Sequence, residues 1–191
     1  MNLFTPPLPS AARYVPGLFT AGESAALFDC LRHALPWHRP RLFLYGRWVN
    51  MPRAVCWFGP VAYRYSNHTH KPASMPAEIE MVCDRVHAAT GFAFNAVLCN
   101  LYENGNDSVS WHADDDFTPG EHSAIASVSF GAARRFDLRH KTGRPTHSID
   151  LMPGSLLLMG PGMQSEYEHA VPKVAHAGER INLTLRCVGA T

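Results

Sequence analysis

Residues 180–186 read R-I-N-L-T-L-R, and the alternation in that segment decides what kind of fold holds it. In an extended strand, side chains at i, i+2 and i+4 share a face. Ile181, Leu183 and Leu185 therefore form an apolar side that belongs to a core, while Arg180, Asn182, Thr184 and Arg186 form the other. An edge strand with its polar side in water explains this pattern. So does a strand that aims two guanidinium forks at a dicarboxylate, because Arg pairs with carboxylates bidentately.

Working back along the chain, short runs of strand character are separated by turn residues: FAFNAVLCNLY (92–102), AIASVSFG (124–131), RRFDLRH (134–140), HSIDLM (147–152) and GSLLLMG (154–160). Ahead of them the period changes. A helix is expected over 20–36, where Thr20 and Glu23 form a T-x-x-E capping box and Leu27, Leu31 and Leu35 make a stripe. A second is expected from Pro76 to Ala89, with Ile79, Val82 and Val86 on one face and Gly91 as its stop. Between them, residues 40–66 mix aromatic and β-branched residues with Gly and Pro, the signature of hairpins. The class is α+β, a β-sandwich or open barrel packed on helices, and 191 residues suit a single domain, 1–191.

Bulk composition narrows the function classes. A formal net charge of +1 leaves no global basic field, so any nucleic-acid partner must be gripped by a local patch. Cys30, Cys56, Cys83, Cys99 and Cys187 form no CxxC pair, which reads as reduced thiols in a cytosol-like compartment. The opening MNLFTPPLPS lacks the basic and apolar regions of a signal peptide, and no run approaches the roughly 18 apolar residues of a membrane helix. A soluble intracellular protein is expected, not a secreted or membrane one.

The stretch NLYENGNDSVSWHADDD (100–116) crowds acids around one histidine. His112 and Asp114, two residues apart on an extended segment, can face one cation. About one H-x-[DE] match arises by chance in a chain of this composition, so an exposed acidic turn competes with this reading. A third ligand should come from a later strand. His122, His140, His147, His169 and His176 are the candidates, and His169 fits best because E-Y-E-H-A-V-P precedes the arginine strand at short range. The other histidines read as surface residues. Two His and one carboxylate form the facial triad of non-haem Fe(II) oxygenases, although zinc accepts similar ligands. The paired arginines favour iron with an acid co-substrate, and Asn100 and Tyr102, on one face just before the histidine, can complete the acid site. Trp57 and Trp111 read as packing.

Taken together these segments resemble the AlkB family of Fe(II)/2-oxoglutarate dioxygenases that act on alkylated nucleobases. The matching pieces are N-L-Y (100–102), W-H-A-D-D-D (111–116), I-A-S-V-S-F-G (125–131), R-H-K (139–141), G-S-L-L-L-M (154–159), E-H-A-V-P (168–172) and R-I-N-L-T-L-R (180–186), in order. The N-terminal half resembles the DNA-acting branch. M-P-R (51–53), W-F-G and Y-R-Y-S (63–66) match its nucleotide-recognition lid, and L-Y-G (44–46) stands where that branch has an aromatic hairpin tip that wedges into a duplex.

The resemblance implies a double-stranded β-helix, or jelly roll, with two N-terminal helices packed on one sheet, a lid over 37–70 and a catalytic core over 92–188. It implies that His112, Asp114 and His169 hold Fe(II). Arg180 would pair with the distal carboxylate of 2-oxoglutarate, and Asn100, Tyr102, Asn182 and Arg186 would line the rest of that site. O2 is the second co-substrate. Tyr65 and His112 would sandwich the damaged base with Tyr63 beside it, Asp116 would meet its exocyclic amine, and Arg53 and Tyr45 would contact the substrate from the lid and hairpin tip.

The implied activity is oxidative demethylation of N-alkylated bases (1-methyladenine, 3-methylcytosine) in DNA, releasing succinate, CO2 and formaldehyde. The partner would be DNA, the chain a monomer, and the compartment the cytoplasm of a bacterium or the nucleus of a eukaryote. R-R-F-D at 134–137 and the short connection after Lys141 depart from the family pattern, so a strong duplex grip is not expected there. Arg139, Lys141 and Arg144 read equally as phosphate contacts or as solvated surface. Tyr45, Tyr63 and Tyr65 also have a plain reading as packed hairpin residues. The competing functions are a same-fold oxygenase acting on RNA or protein, and a binding module for damaged nucleic acid without turnover.

Overall fold

The computed structural model describes residues 7–44, 46–65, 68–115 and 124–189. Tyr45 and Asp116 fall outside the described residues, and Tyr65 is described in its backbone alone. The chain opens on β1 (Ala12–Val15) and helix α1 (Ala21–Ala34), followed by β2 (Arg41–Leu44), β3 (Arg47–Asn50), β4 (Ala54–Phe58), β5 (Tyr63–Tyr65) and β6 (His68–His70). Helix α2 (Ala77–Thr90) leads into β7 (Ala96–Tyr102), β8 (Val109–His112), β9 (Ile125–Gly131), β10 (Arg134–His140), β11 (Thr146–Leu151) and β12 (Ser155–Met159). A single helical turn α3 (Met163–Glu166), β13 (Tyr167–Val171) and β14 (Arg180–Arg186) complete the chain.

Two antiparallel sheets carry the architecture. The larger has the order β1-β12-β9-β14-β7-β4 and the smaller β11-β10-β13-β8, and the non-sequential order is that of a jelly roll. Strand β14 lies between β9 and β7, fully hydrogen-bonded on both edges. The edge-strand reading of R-I-N-L-T-L-R is therefore overturned. All seven residues are buried, including Arg180, Asn182 and Arg186.

Each face of the large sheet is covered by something different. Ile181, Leu183 and Leu185 pack with Leu27 and Leu31 of α1 and with Ile79, Val82 and Val86 of α2 in one core cluster. A second cluster lies between the sheets, joining Tyr102, Ile125, Leu157 and Met159 to Val109, Phe136, Leu138 and Val171. A jelly roll with two helices packed on one sheet is thus what the chain forms, and the polar side of β14 faces the space between the sheets.

Local signals account for the helices. Thr20 caps α1 as expected: its Oγ1 accepts from Glu23 N at 3.3 Å while Glu23 Oε2 accepts from Thr20 N at 2.8 Å. Gly91 ends α2 at φ 78°, a left-handed conformation that suits glycine. At the end of β9, Gly131 has φ +80°, and a Cβ there would stand 2.5 Å from Glu179 O. Only glycine lets β9 close on the residue that leads into β14.

β1 and the pairing of β4 were not legible in advance. β1 pairs with β12 at the margin of the large sheet. β4, expected among the hairpins, is buried at all positions and pairs with β7, so among the described residues of 37–70 only β2–β3 and β5–β6 stand as separate two-stranded units. No helix among the described residues is long and apolar enough to cross a membrane.

Candidate active site

β8 and β13 place two histidines opposite each other. His112 and His169 are cross-strand partners with ring centroids 4.3 Å apart. Asp114 follows β8 by two residues and turns its carboxylate between them, with Oδ1 3.7 Å from His112 Nε2 and Oδ2 3.6 Å from His169 Nε2. One ligand atom from each of the three lies within 4.8 Å of the others, a group able to hold one metal ion. His112 Nδ1 is 2.8 Å from the Ser110 carbonyl, which can only accept. That contact suits the tautomer with its proton on Nδ1, in which Nε2 is the nitrogen that can meet a cation. Phe136 stacks on His169 at 5.2 Å and fixes the plane of that ring.

The electrostatics suit ligation. Burial pushes the Asp114 carboxyl up, but Arg186 above all, then His169, His112 and Arg53, outweigh it and hold it at about 2. Burial lowers His169 to about 4 despite the pull of Asp114, so its imidazole is neutral near pH 7. A carboxylate and a neutral imidazole are the forms a metal requires.

Across the pocket stands β14. Arg180 is 1% exposed and donates Nη2 to Ser129 Oγ at 2.9 Å. Its Nε and Nη1 are buried and find no hydrogen-bond acceptor among the described residues. A buried guanidinium with unmatched donors is costly, and a carboxylate supplies what it lacks. Burial lowers the Arg180 pKa, with Tyr102 opposing that shift, and the Tyr102 ring centroid lies 5.0 Å from the Arg180 Cζ. Lining the same cavity are Arg53, Asn100, Tyr102, Asn182, His112, Asp114 and His169. A divalent cation and a dicarboxylate both fit this donor set.

Several expected residues occupy more particular places than the sequence indicated. Arg186 lies 3.3 Å from Asp114 Oδ1, so it meets the carboxylate of the triad. Asn182 uses its amide within the sheet, donating to Ser127 Oγ at 2.7 Å and accepting from Thr184 Oγ1 at 3.0 Å. Arg53 is buried and donates to Asn100 Oδ1 at 2.6 Å, on the pocket wall. Tyr63 is buried in a cluster with Trp57 and Met51, stacked on Trp57 at 4.9 Å, rather than on the pocket wall. Its link to the site is Arg186, whose Cζ lies 5.7 Å from the Tyr63 ring centroid.

Arg139 places its Cζ 4.0 Å from the Trp111 ring centroid and pairs with Glu168, which leaves it less free for a phosphate. Contrary to the surface reading of the remaining histidines, His147 is buried, because it sits on the inward side of β11. Ser127 and Ser129 were missed. Their alternation with apolar residues in I-A-S-V-S-F-G, matching that of R-I-N-L-T-L-R, was the available signal. Gln164 was also missed, and no pattern in G-P-G-M-Q-S-E marks it.

A jelly roll with a His-x-Asp…His group facing a buried arginine defines a class, and comparison with known proteins agrees. The family model described as the 2OG-Fe(II) oxygenase superfamily matches residues 11–186. The chain belongs to this superfamily and, within it, to the AlkB homologues. It is 37% identical over 184 residues to the alpha-ketoglutarate-dependent dioxygenase alkB homolog 3 of Bos taurus, covering 91% of this chain. It is likewise 37% identical over 183 residues to the DNA oxidative demethylase ALKBH2 of Mus musculus, with 88% of this chain and 77% of that protein covered. The chain spans 64% of the length of the bovine and human alkB homolog 3 proteins. The solved structure of OsALKBH1 shares the fold, with a TM-score of 0.72 at 15% identity over 96% of this chain and 99% of that one. The family's metal and co-substrates are Fe(II), 2-oxoglutarate and O2.

Proposed function

We propose that this chain removes N-linked methyl groups from 1-methyladenine and 3-methylcytosine in DNA, a direct reversal of alkylation damage. One observation carries the reading: His112, Asp114 and His169 face the unmatched donors of buried Arg180 inside one pocket. The names of the relatives, a DNA oxidative demethylase among them, support the same direction.

In this reading His112, Asp114 and His169 hold Fe(II), and Arg180 takes the distal carboxylate of 2-oxoglutarate, with Asn100, Tyr102 and Asn182 shaping the rest of its site. Arg186 keeps Asp114 ionised and oriented. When bound together, Fe(II), 2-oxoglutarate and O2 supply an oxidation that places one oxygen atom on the N-methyl carbon and the other in succinate, with CO2 lost. The resulting cationic N-hydroxymethyl base then loses its hydroxyl proton to solvent as the C–N bond breaks, releasing formaldehyde and returning the electron pair to the ring nitrogen. The chain supplies placement. A base with a blocked pairing edge is cheaper to take out of the stack, and Tyr65 and Asp116 are proposed to receive it from their positions in Y-R-Y-S and W-H-A-D-D-D.

The hairpin β2–β3 supports a nucleic-acid partner. Phe43 and Trp48 are exposed and paired at 5.3 Å, and the Arg41 Cζ lies 5.7 Å from the Trp48 ring centroid. An aromatic pair with a cation beside it is the kind of surface on which bases stack.

The test is an aerobic reaction with Fe(II), 2-oxoglutarate and oligonucleotides carrying a single 1-methyladenine, single-stranded and duplex, with methyl loss read by mass. Demethylation that needs both iron and 2-oxoglutarate is expected. Turnover of 2-oxoglutarate without methyl loss would mean that the substrate is another molecule, and no reaction with loaded metal would sink the catalytic assignment.

A further inference from the structure

Asp114 lies beyond the last paired residue of β8. The register that sets His112 opposite His169 would set Asp114 opposite Tyr167, but the ladder stops at His112. The Asp114 N–H therefore needs another acceptor, and it finds one in a side chain: it donates to Gln164 Oε1 at 2.9 Å. Gln164 belongs to α3, the turn that immediately precedes β13, so it reaches the place where a next rung of the ladder would stand.

The turn that holds Gln164 is itself anchored. Met163 is buried in the core between the sheets. Gln164 Nε2 lies 3.6 Å from Met159 Sδ, which fixes the amide with its oxygen toward Asp114, since a reversed amide would set two donors against each other. The Gln164 carbonyl accepts from Lys141 Nζ at 3.0 Å, and the same ammonium lies 4.0 Å from Asp115 Oδ2. The Asp114 backbone is thus tied to α3 by a hydrogen bond, and the Asp115 carboxylate is linked to the same turn through Lys141.

We infer that Gln164 is a positioning residue whose side-chain oxygen sets where the Asp114 carboxylate stands relative to His112 and His169. The inference rests on the reading of those three residues as metal ligands. Groups that orient a ligand without touching the metal commonly alter affinity ten- to a hundredfold when removed. Gln164→Met keeps length and volume but loses the acceptor, whereas Gln164→Glu keeps an acceptor in the same place.

The experiment is a Co(II) titration of the metal-free full chain, following ligand-field absorption, for the unaltered protein, Gln164→Met, Gln164→Glu and Asp114→Ala. Gln164→Met should bind Co(II) about ten- to a hundredfold more weakly and with a changed band pattern, while its metal-free melting temperature stays close to that of the parent. Gln164→Glu should restore the parent spectrum. A Gln164→Met protein with parent affinity and spectrum overturns the inference, as does a Gln164→Glu spectrum as altered as that of Gln164→Met. If Gln164→Met does not fold, Gln164→Leu, which also lacks the acceptor, takes its place in the same comparison. Parent-like Co(II) binding by Asp114→Ala would remove the ligand reading itself, whereas a silent Asp114→Ala beside a parent-like Gln164→Met would overturn only the role of Gln164.

Discussion

Arg186 Nη2 stands 3.3 Å from Asp114 Oδ1, at the inner end of the strand that also carries Arg180. Both partners are largely removed from water, so this charge contact is screened little. It is the largest of the influences that overcome burial and keep the Asp114 carboxyl at about 2.

Arg186→Met should therefore raise the Asp114 pKa, because burial remains while its principal opponent is gone. With the parent protein, Asp114 is ionised at any pH above about 2, and its contribution is lost only as pH falls through that value. The variant should show an acid limb in Co(II) affinity at higher pH than the parent, measured by titration at a series of pH values. Protonation of His169, held at about 4 by burial and with Arg186 among the groups that lower it, sets the acid limb of the parent. Superimposable pH profiles would therefore mean that Arg186 controls the ionisation of neither ligand.

The two ends of the pocket should be separable by mutation. Asp114→Ala leaves two imidazoles and should abolish both metal loading and turnover. Arg180→Ala would remove the charge-assisted contact proposed for the co-substrate, a loss of about 1.5–3 kcal/mol or roughly ten- to a hundredfold in 2-oxoglutarate affinity, and should largely spare metal binding. Calorimetric titration of each ligand into each variant checks this. Equal loss of both ligands in Arg180→Ala would point to collapse of the sheet, in which Arg180 also bonds Ser129.

His169 gives the metal-free fold a pH dependence of known sign. Its pKa is lowered from 6.5 to about 4, so between those values the unfolded chain takes up a proton that the folded chain does not. Stability from this group is complete above pH 6.5 and declines as pH falls toward 4, with a slope of at most about 1.4 kcal/mol per pH unit. Urea unfolding at pH 7 and pH 5 should show a loss of roughly 2 kcal/mol in the parent that is absent in His169→Asn. A loss of equal size in both proteins would assign the effect elsewhere.

How far the sequence carried depended on whether the deciding signal was local. The capping box at Thr20 and Glu23 and the stop at Gly91 are contained within a turn or two of chain, and both stand as expected. The alternation in residues 180–186 established a strand, but it could not say whether the polar side met water or a second sheet, since that depends on β10, β13 and β8 lying across from it. His112 and Asp114 were legible because they are two residues apart. Gln164 was not, because its hydrogen bond crosses fifty positions to a backbone atom, which leaves no trace in residue type. The resemblance implied a place for Arg186 beside the co-substrate, and the fold adds its contact with Asp114, which its position on the strand could not reveal.

Asp107 provides a test of how the loop between β7 and β8 is held. Its carboxylate accepts from Arg39 Nη1 at 3.1 Å and Nη2 at 2.9 Å and from Glu103 N at 2.9 Å, while its backbone carbonyl accepts from Arg134 Nη2 at 2.8 Å. The aspartate is buried, and Arg39 keeps 28% of its side chain in solvent. Asp107→Ala strips a bidentate partner from Arg39 and an acceptor from a backbone N–H. Breaking a fully buried pair costs about 3–5 kcal/mol, and the exposure of Arg39 reduces that to about 2–3 kcal/mol here. Because β8 carries His112 directly after this loop, some loss of metal affinity should accompany the loss of stability. Arg39→Met should lose less of both, since Glu103 N keeps its acceptor on Asp107. Urea denaturation and Co(II) titration of the two variants check the order, and an Arg39→Met protein less stable than Asp107→Ala would show that the arginine, not the aspartate, organises the loop.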